Sequence, residues 1–223
     1  MIKKHLLLCV FPIITFMFGA SSLCSDSDSY KAEIAELVDR LDYTNGTNFY
    51  YELTQLYKEY EDDRCIDAIK IALAKAGKSL LEITDKYGNS PFHLAVLNRN
   101  VGLANLILSI SDECEQRKLL FARNFHKMTP LHSAAICGNA ELAKEILQRA
   151  DFRRFRLIYM RDIYQNTALH LACYFDQANI VKIIREFAND AYQNLPGLKN
   201  NKKMTAMQNA EQGNFAECIV ALN

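Results

Sequence analysis

A short string that opens with Ser or Thr recurs along the chain at a nearly constant interval. Its copies begin at Ser90, Thr129, Thr167 and Thr205, which lie 39, 38 and 38 residues apart. The second copy reads Thr-Pro-Leu-His-Ser-Ala-Ala, and the fourth is weaker, with Gln208 in the position of His. A fixed period of this size is typical of solenoids, in which each unit packs on its neighbours. The chain is therefore predicted to fold as a stack of repeats.

Each copy of the string predicts two helices. Thr129 can cap the first helix, and Pro130 suits the first helical position, where its missing N–H costs nothing. Apolar residues stand ten and fourteen residues after each His or Gln208, and this spacing of four places them on one face of a second helix. These core positions are Leu103 and Ile107, Leu142 and Ile146, Ile180 and Ile184, and Cys218 and Leu222.

The string and the helix that follows it resemble the ankyrin repeat family over residues 79–223. The resemblance implies an all-α solenoid of four helix-turn-helix repeats joined by hairpin loops, in which hairpins and first helices line a concave face. The units are about five residues longer than the usual 33. The added residues include paired apolar side chains, so we expect a short helical turn under each hairpin. These pairs are Leu80-Leu81, Leu119-Leu120, Leu157-Ile158 and Leu195-Pro196.

One hairpin position departs from the family pattern. Ankyrin hairpins usually have Gly two residues before the string, and only the first copy does, at Gly88. Lys127, Gln165 and Lys203 stand there in the other copies. A side chain at this position raises the energy of a backbone with positive φ. The sequence therefore leaves open whether these three hairpins keep the family's turn.

The N-terminus has the layout of a secretory signal peptide, because Lys3 and Lys4 precede an apolar run over residues 6–20 and small residues follow it. The run is shorter than the roughly 20 residues that span a bilayer. We expect residues 1–22 to be removed and the mature chain to be periplasmic or secreted, as in the small exported bacterial ankyrin proteins that it resembles. An uncleaved N-terminal membrane anchor is the alternative.

Two further segments precede the four repeats. Residues 23–47 are predicted to form an N-terminal helix followed by a loop at residues 45–47. Residues 48–78 keep the register of the repeats at Gln55, Cys65 and Ile69 but lack the string. We interpret them as a degenerate capping repeat, because terminal repeats need a polar outer face.

No arrangement of residues predicts a cofactor, a metal site or catalysis. The histidines of the string fall in different repeats, roughly 8–10 Å apart, and one ion with ligands at about 2 Å cannot join them. We expect each imidazole to bond to the backbone of a neighbouring turn. Among the 7 cysteines, Cys65, Cys137, Cys173 and Cys218 occupy packed positions and are predicted to be buried thiols, whereas Cys24 and Cys114 could pair or react.

The surface offers the main functional signal. Residues 22–112 carry 9 Lys and Arg against 15 Asp and Glu, whereas residues 113–223 carry 15 against 11, so the two halves differ in the sign of their charge. Aromatic residues and Arg anchor many protein interfaces. The candidate partner-binding residues form an aromatic and basic ridge and are Tyr87, Phe125, His126, Lys127, Arg153, Arg154, Arg156, Tyr164, Gln165, Lys202 and Lys203. The alternative is that the basic residues only keep long loops in contact with water and bind no partner.

These patterns favour a non-enzymatic, exported scaffold that binds an acidic or mixed-charge protein partner on its concave face. Three alternatives stay open. The chain could be a secreted effector of a host-associated bacterium, or a structural protein that self-associates through its last helix. It could also bind nucleic acid through the basic ridge, although export and the neighbouring acidic residues argue against this.

Overall fold

The computed structural model describes residues 45–59, 70, 79–188 and 194–222, and its regular structure there is entirely helical. The predicted signal peptide, the helix predicted before residue 45 and most of residues 60–78 lie outside the described residues. A 3-10 turn at Asp151–Arg153 precedes α7. The helices are α1 (Gly46–Glu59), α2 (Pro91–Leu97), α3 (Val101–Ile110), α4 (Glu113–Phe121), α5 (Pro130–Cys137), α6 (Ala140–Arg149), α7 (Arg154–Ile158), α8 (Ala168–Tyr174), α9 (Ala178–Ala188), α10 (Ala206–Gly213) and α11 (Ala216–Leu222).

The helices form two layers, which confirms the predicted all-α stack of repeats. The first helices pack in the order α2, α5, α8 and α10, and the second helices in the order α3, α6, α9 and α11. The predicted core positions are fully buried in all second helices except the last, where Leu222 retains 6% exposure. Each repeat thus buries its apolar face against the next one, as a solenoid requires.

In the first three repeats, the histidine of the string bonds both to the cap of its own helix and to the backbone of the next repeat. Thr129 N–H donates to His132 Nδ1 at 3.2 Å, and the Thr129 hydroxyl lies 2.8 Å from the same nitrogen. Because Nδ1 accepts, the ring proton is on Nε2, which donates to the Asn166 carbonyl of the next repeat at 3.2 Å. His93 and His170 repeat the arrangement toward the carbonyls of residues 128 and 198. This confirms the predicted structural role of the imidazoles.

The hairpins keep one geometry in all four repeats, which answers the question that the sequence left open. Gly88, Lys127, Gln165 and Lys203 have φ of 76°, 58°, 62° and 62°. A side-chain oxygen at the base of each turn holds this conformation. In the second hairpin, Asn124 Oδ1 accepts the N–H groups of residues 126 and 128, both at 3.0 Å. The two hydrogen bonds offset the cost of a left-handed backbone at a residue with a side chain.

Asparagine side chains at the hairpin bases also bond to each other between repeats, but only in alternate pairs. Asn124 Nδ2 donates to Asn89 Oδ1 at 2.8 Å, which joins repeats 1 and 2. Asn200 Nδ2 donates to Asn166 Oδ1 at 2.9 Å, which joins repeats 3 and 4. Met128 occupies the equivalent position in repeat 2 and cannot make this bond to repeat 3. The side-chain ladder is therefore interrupted in the middle of the solenoid.

The segments that lengthen the repeats are ordered, as predicted. Helix α4 and helix α7 fill them in repeats 2 and 3, and single turns do so near residues 80–82 and 194–197. The apolar pairs of these two helices are at most 1% exposed, namely Leu119, Leu120, Leu157 and Ile158. The paired apolar residues thus extend the core beneath each hairpin.

The start of α1 differs from the prediction. The predicted loop at residues 45–47 is wrong from Gly46 onward, because α1 begins there, and the Thr47 N–H donates to Asn45 Oδ1 at 2.9 Å. Extrapolation of the repeat period places the helix start near residue 53, and the observed start is seven residues earlier. Phe49 and Leu53 are fully buried and one helical turn apart, so α1 buries its own apolar stripe rather than that of the repeat pattern.

Candidate functional site: the concave groove

The hairpins join edge to edge through one backbone hydrogen bond at each junction. Phe125 N–H donates to the Tyr87 carbonyl, Ile163 N–H to the His126 carbonyl, and Asn201 N–H to the Tyr164 carbonyl, each at 3.0 Å. These bonds fix the spacing of the hairpin tips, which are residues 86–88, 125–127, 163–165 and 201–203. The tips therefore form one continuous rim along the solenoid.

A groove of about 360 Å³ lies between this rim and the first helices of repeats 2 to 4. Its volume is at the lower end of the range of ligand-binding sites in proteins. Hairpin residues form one wall, and they include Met128, Asp162, Tyr164, Asn166, Asn200, Asn201, Lys202 and Met204. Residues of α5, α8 and α10 and of the turn after α8 form the other wall, namely Ile136, Leu171, Tyr174, Phe175, Asn209 and Gln212.

Three large aromatic side chains of the groove are accessible to a partner. Tyr164 is 59% exposed at a hairpin tip, and Tyr174 and Phe175 are 56% and 41% exposed at the end of α8. The rings of Tyr174 and Phe175 meet edge to face, with centroids 5.1 Å apart. Aromatic residues lose little side-chain entropy on binding and are enriched at interface hot spots. The groove thus presents a ready aromatic contact surface.

The rim carries positive charge. Lys86, Lys127, Lys202 and Lys203 are exposed at the hairpin tips, where there is no Asp or Glu. The one carboxylate that lines the groove, Asp162, is buried. Its Oδ1 accepts the N–H groups of residues 164 and 166 at 2.8 Å, so this carboxylate holds the turn rather than facing a ligand.

The structure brings together most of the predicted partner-binding residues. Those on hairpin tips share the rim and are exposed. They are Tyr87, Phe125, His126, Lys127, Tyr164, Gln165, Lys202 and Lys203.

The predicted arginines do not share that surface. Arg154 and Arg156 belong to α7, which packs against the second helices α6 and α9, and Arg153 precedes it in the 3-10 turn. None of the three lines the groove. The Arg153 guanidinium instead lies 4.8 Å from the ring centroid of Phe152. These arginines were predicted to lie on the ridge because they precede a hairpin, but the helix that contains Arg154 and Arg156 packs on the second-helix layer.

The aromatic pair Tyr174 and Phe175, which lines the groove, is not among the residues predicted to bind a partner. Tyr174 and Phe175 occupy the fourth and fifth positions after the repeat His, where repeat 2 has Ile136 and Cys137. Two adjacent large aromatics at the end of a first helix, next to a solvated turn, are a signal for an exposed contact surface. Comparison of this position between the repeats would have found it.

Comparison with known proteins agrees with this geometry. Residues 114–196 match the family model described as ankyrin repeats (3 copies). This segment is thus similar to ankyrin repeats, and the helical stack described above is consistent with an ankyrin solenoid. The matched residues contain the repeat 2 and repeat 3 hairpins and α4 to α9, which build most of the groove.

Two curated relatives share the ankyrin-repeat region at low identity. The chain is 27% identical over 168 residues to XBAT31 of Arabidopsis thaliana, named as an E3 ubiquitin-protein ligase, and the match covers 71% of this chain and 35% of that protein. It is 21% identical over 145 residues to the nuclear factor NF-kappa-B p105 subunit of Gallus gallus, covering 65% of this chain and 14% of that protein. The chain thus spans about a third and about a seventh of the lengths of these relatives.

The buried titratable groups of the ankyrin repeats have structural roles. Burial lowers the pKa of His93 and of His132 from 6.5 to about 4, which keeps both imidazoles neutral. Burial also raises the pKa of the Cys173 and Cys218 thiols, the latter to about 12. Cys173 and Cys218 are free and buried, as predicted, whereas Cys137 is only half-buried, contrary to the prediction, because it lies at the exposed end of α5. Cys114 is free and exposed. Cys65 lies outside the described residues. Buried neutral groups of this kind support packing rather than reaction chemistry.

Neither a metal site nor a membrane-spanning helix is found among the described residues. No group of three or more His, Cys, Asp or Glu residues there is arranged to hold a metal ion. No helix among those residues combines the length and hydrophobicity needed to cross a membrane. Ankyrin repeats, to which residues 114–196 are similar, are a non-catalytic interaction fold.

Proposed function

We propose that this protein is a non-enzymatic scaffold that binds a partner protein in its concave groove. The observation that carries the proposal is the cluster of Tyr164, Tyr174 and Phe175, which are all at least 41% exposed inside a concave surface. Monomeric proteins rarely expose grouped aromatic side chains without a binding role. The ankyrin repeats support the proposal, because they are generally protein-interaction modules.

The test is capture of partners from native extract by the immobilised chain and by two variants. The Y174A/F175A variant removes the aromatic wall and should lose the captured partner. Phe152→Ala removes an aromatic of similar exposure, 70%, from the 3-10 turn outside the groove and should retain it. Retention of every partner by Y174A/F175A would contradict the proposal. A labelled DNA duplex bound with a steep salt dependence would instead indicate a nucleic-acid binder.

We further propose that the chain is exported and acts outside the cytoplasm, as a periplasmic factor or as an effector delivered to a host. The support is the N-terminal pattern, in which Lys3 and Lys4 precede an apolar run over residues 6–20. N-terminal sequencing of the protein isolated from its own cells should find a mature start near residue 23. A start at Met1 in a soluble fraction would contradict export, and a start at Met1 in a membrane fraction would indicate an anchor.

Self-association is a second candidate, favoured by one observation on the last repeat. Val220 of α11 is 72% exposed, whereas Cys218, Ala221 and Leu222 of the same helix are buried in the core. If this face joins two copies, light scattering should give a dimer mass that Val220→Glu returns to that of a monomer. A monomer at all concentrations would exclude this role.

A further inference from the structure

Among the residues that the structure describes, no acidic side chain forms an ion pair with a lysine of the groove rim. The ion pairs found among the described residues lie elsewhere, between Arg117 and Glu113 and between Arg149 and Glu145. Lys202 lines the repeat 4 end of the groove, Lys203 follows it on the same hairpin tip, and both are exposed. Their charges are therefore free to pair with a ligand.

The aromatic wall and these lysines occupy different parts of one concavity. Tyr164, Tyr174 and Phe175 belong to repeat 3, in the middle of the groove, whereas Lys202 belongs to the hairpin of repeat 4. Asp162 also lines the groove, but it is buried, and its carboxylate accepts hydrogen bonds from its own turn. The groove thus has an apolar centre and a cationic end.

The dimensions of the groove limit what it can hold. It runs across repeats 2 to 4, and neighbouring helices are 8–10 Å apart, so its length is roughly 20 Å. An extended chain covers about 3.3 Å per residue, which gives roughly six residues. A volume of about 360 Å³ suits a few side chains of such a segment rather than a folded domain.

From these observations we infer that the groove binds an extended segment of a partner protein with a large apolar side chain at its centre and an acidic side chain toward repeat 4. The apolar side chain contacts Tyr174 and Phe175, and the carboxylate pairs with Lys202 or Lys203. This inference rests on the proposed function, because it assumes that the partner uses the groove. It adds the length of the segment, its polarity and the positions of its two anchoring side chains.

The experiment measures fluorescence anisotropy with three pools of labelled eight-residue peptides and the full chain. In every pool, two central positions are randomised among apolar and aromatic residues. The pools differ at one flanking position, which is Glu in the first pool, Gln in the second and Lys in the third. The Glu pool should bind at least about tenfold more tightly than the Gln pool at low salt, and added salt should reduce the difference. The K202E/K203E variant should reverse the preference toward the Lys pool.

The matched control reverses the same number of charges on the second-helix layer of the solenoid. Lys144 of α6 and Lys182 of α9 are exposed on second helices, so K144E/K182E alters the net charge equally and should keep the preference for the Glu pool. The Y174A/F175A variant should lose binding of all pools. This pattern distinguishes recognition at the rim from a general effect of protein charge.

The outcomes separate the inference from the proposed function. If the three pools bind equally and Y174A/F175A abolishes binding, the groove is a binding site but the acidic preference is wrong. If K144E/K182E changes the preference as much as K202E/K203E, the assigned rim site is wrong. If no pool binds, the inference is overturned, while loss of the natural partner from Y174A/F175A would still support the proposed function.

Discussion

The imidazole Nε2 of His132 lies 3.2 Å from the Asn166 carbonyl oxygen, so one side chain both caps its own helix and bonds the next repeat. Removal of this imidazole leaves a helix cap and a buried carbonyl without their partner. We expect His132→Ala to lower the free energy of unfolding by about 2–3 kcal/mol in urea denaturation. The exposed His126, six residues earlier, is the control, and its Ala variant should change stability little. Equal effects of the two substitutions would contradict the structural role.

The stability of the protein should fall on acidification. His93 and His132 have a folded-state pKa of about 4, lowered by burial from 6.5, so the unfolded state binds their protons first. The two histidines contribute fully to the free energy of unfolding above pH 6.5. This contribution is lost as the pH falls toward 4, at roughly 1.4 kcal/mol per pH unit for each histidine. Denaturation midpoints between pH 7 and pH 4.5 measure this slope. The H93Q/H132Q variant should show a shallower slope, and an unchanged slope would assign the effect to other groups.

The left-handed turn residues offer a route to stabilisation. Lys127 has φ of 58°, which costs more for a side chain than for glycine. Lys127→Gly relieves this cost but also increases the conformational entropy of the unfolded chain. The net effect should be a rise of about 0.5 kcal/mol in the free energy of unfolding. Lys86→Gly, in the first hairpin at a residue without positive φ, should lower it. A loss of stability in both variants would show that the turn carries no strain.

Gly88 should tolerate no side chain. A Cβ at this position would lie 2.7 Å from the ring and 2.9 Å from the backbone nitrogen of Phe125 in the next hairpin. Gly88→Ala should therefore lower the thermal midpoint, because the backbone at Phe125 must shift. Phe125→Ala removes the ring contact but not the backbone contact, so the double variant should recover only part of the loss.

The helical turn between repeats 2 and 3 should contribute to the core. Leu157 is fully buried in α7, and Leu157→Ala should cost about 2–4 kcal/mol in unfolding free energy. Arg156, its exposed neighbour, should be replaceable by Ala with a change below about 0.5 kcal/mol. A small effect of Leu157→Ala would mean that the added residues form a surface loop.

The sequence predicts the features that depend on local spacing. The capped first helices, the burial of residues such as Leu142 and Ile146, and the ordered turn at Leu157 all follow from a four-residue apolar spacing or a repeated cap. These elements are determined within one repeat or between two adjacent ones. The fold and the general position of the groove could therefore be predicted.

The remaining features depend on tertiary packing. The sequence could not show that Asn124 supplies the hydrogen bonds that permit a positive φ at Lys127, because these bonds form only in the folded turn. It also could not show which layer Arg154 joins, since this depends on the direction of α7. The early start of α1 follows from packing of Phe49 and Leu53 that lies outside the repeat period.

The alternating Asn pairs couple the repeats within each half of the solenoid but do not couple one half to the other. Asn89 and Asn124 join repeats 1 and 2, and Asn166 and Asn200 join repeats 3 and 4, whereas Met128 interrupts the ladder between them. The stability of a solenoid is a sum over repeats and their interfaces, so the least bonded interface separates first under load. We expect the chain, when pulled from its ends, to open at this seam and extend in two steps, each releasing a two-repeat block.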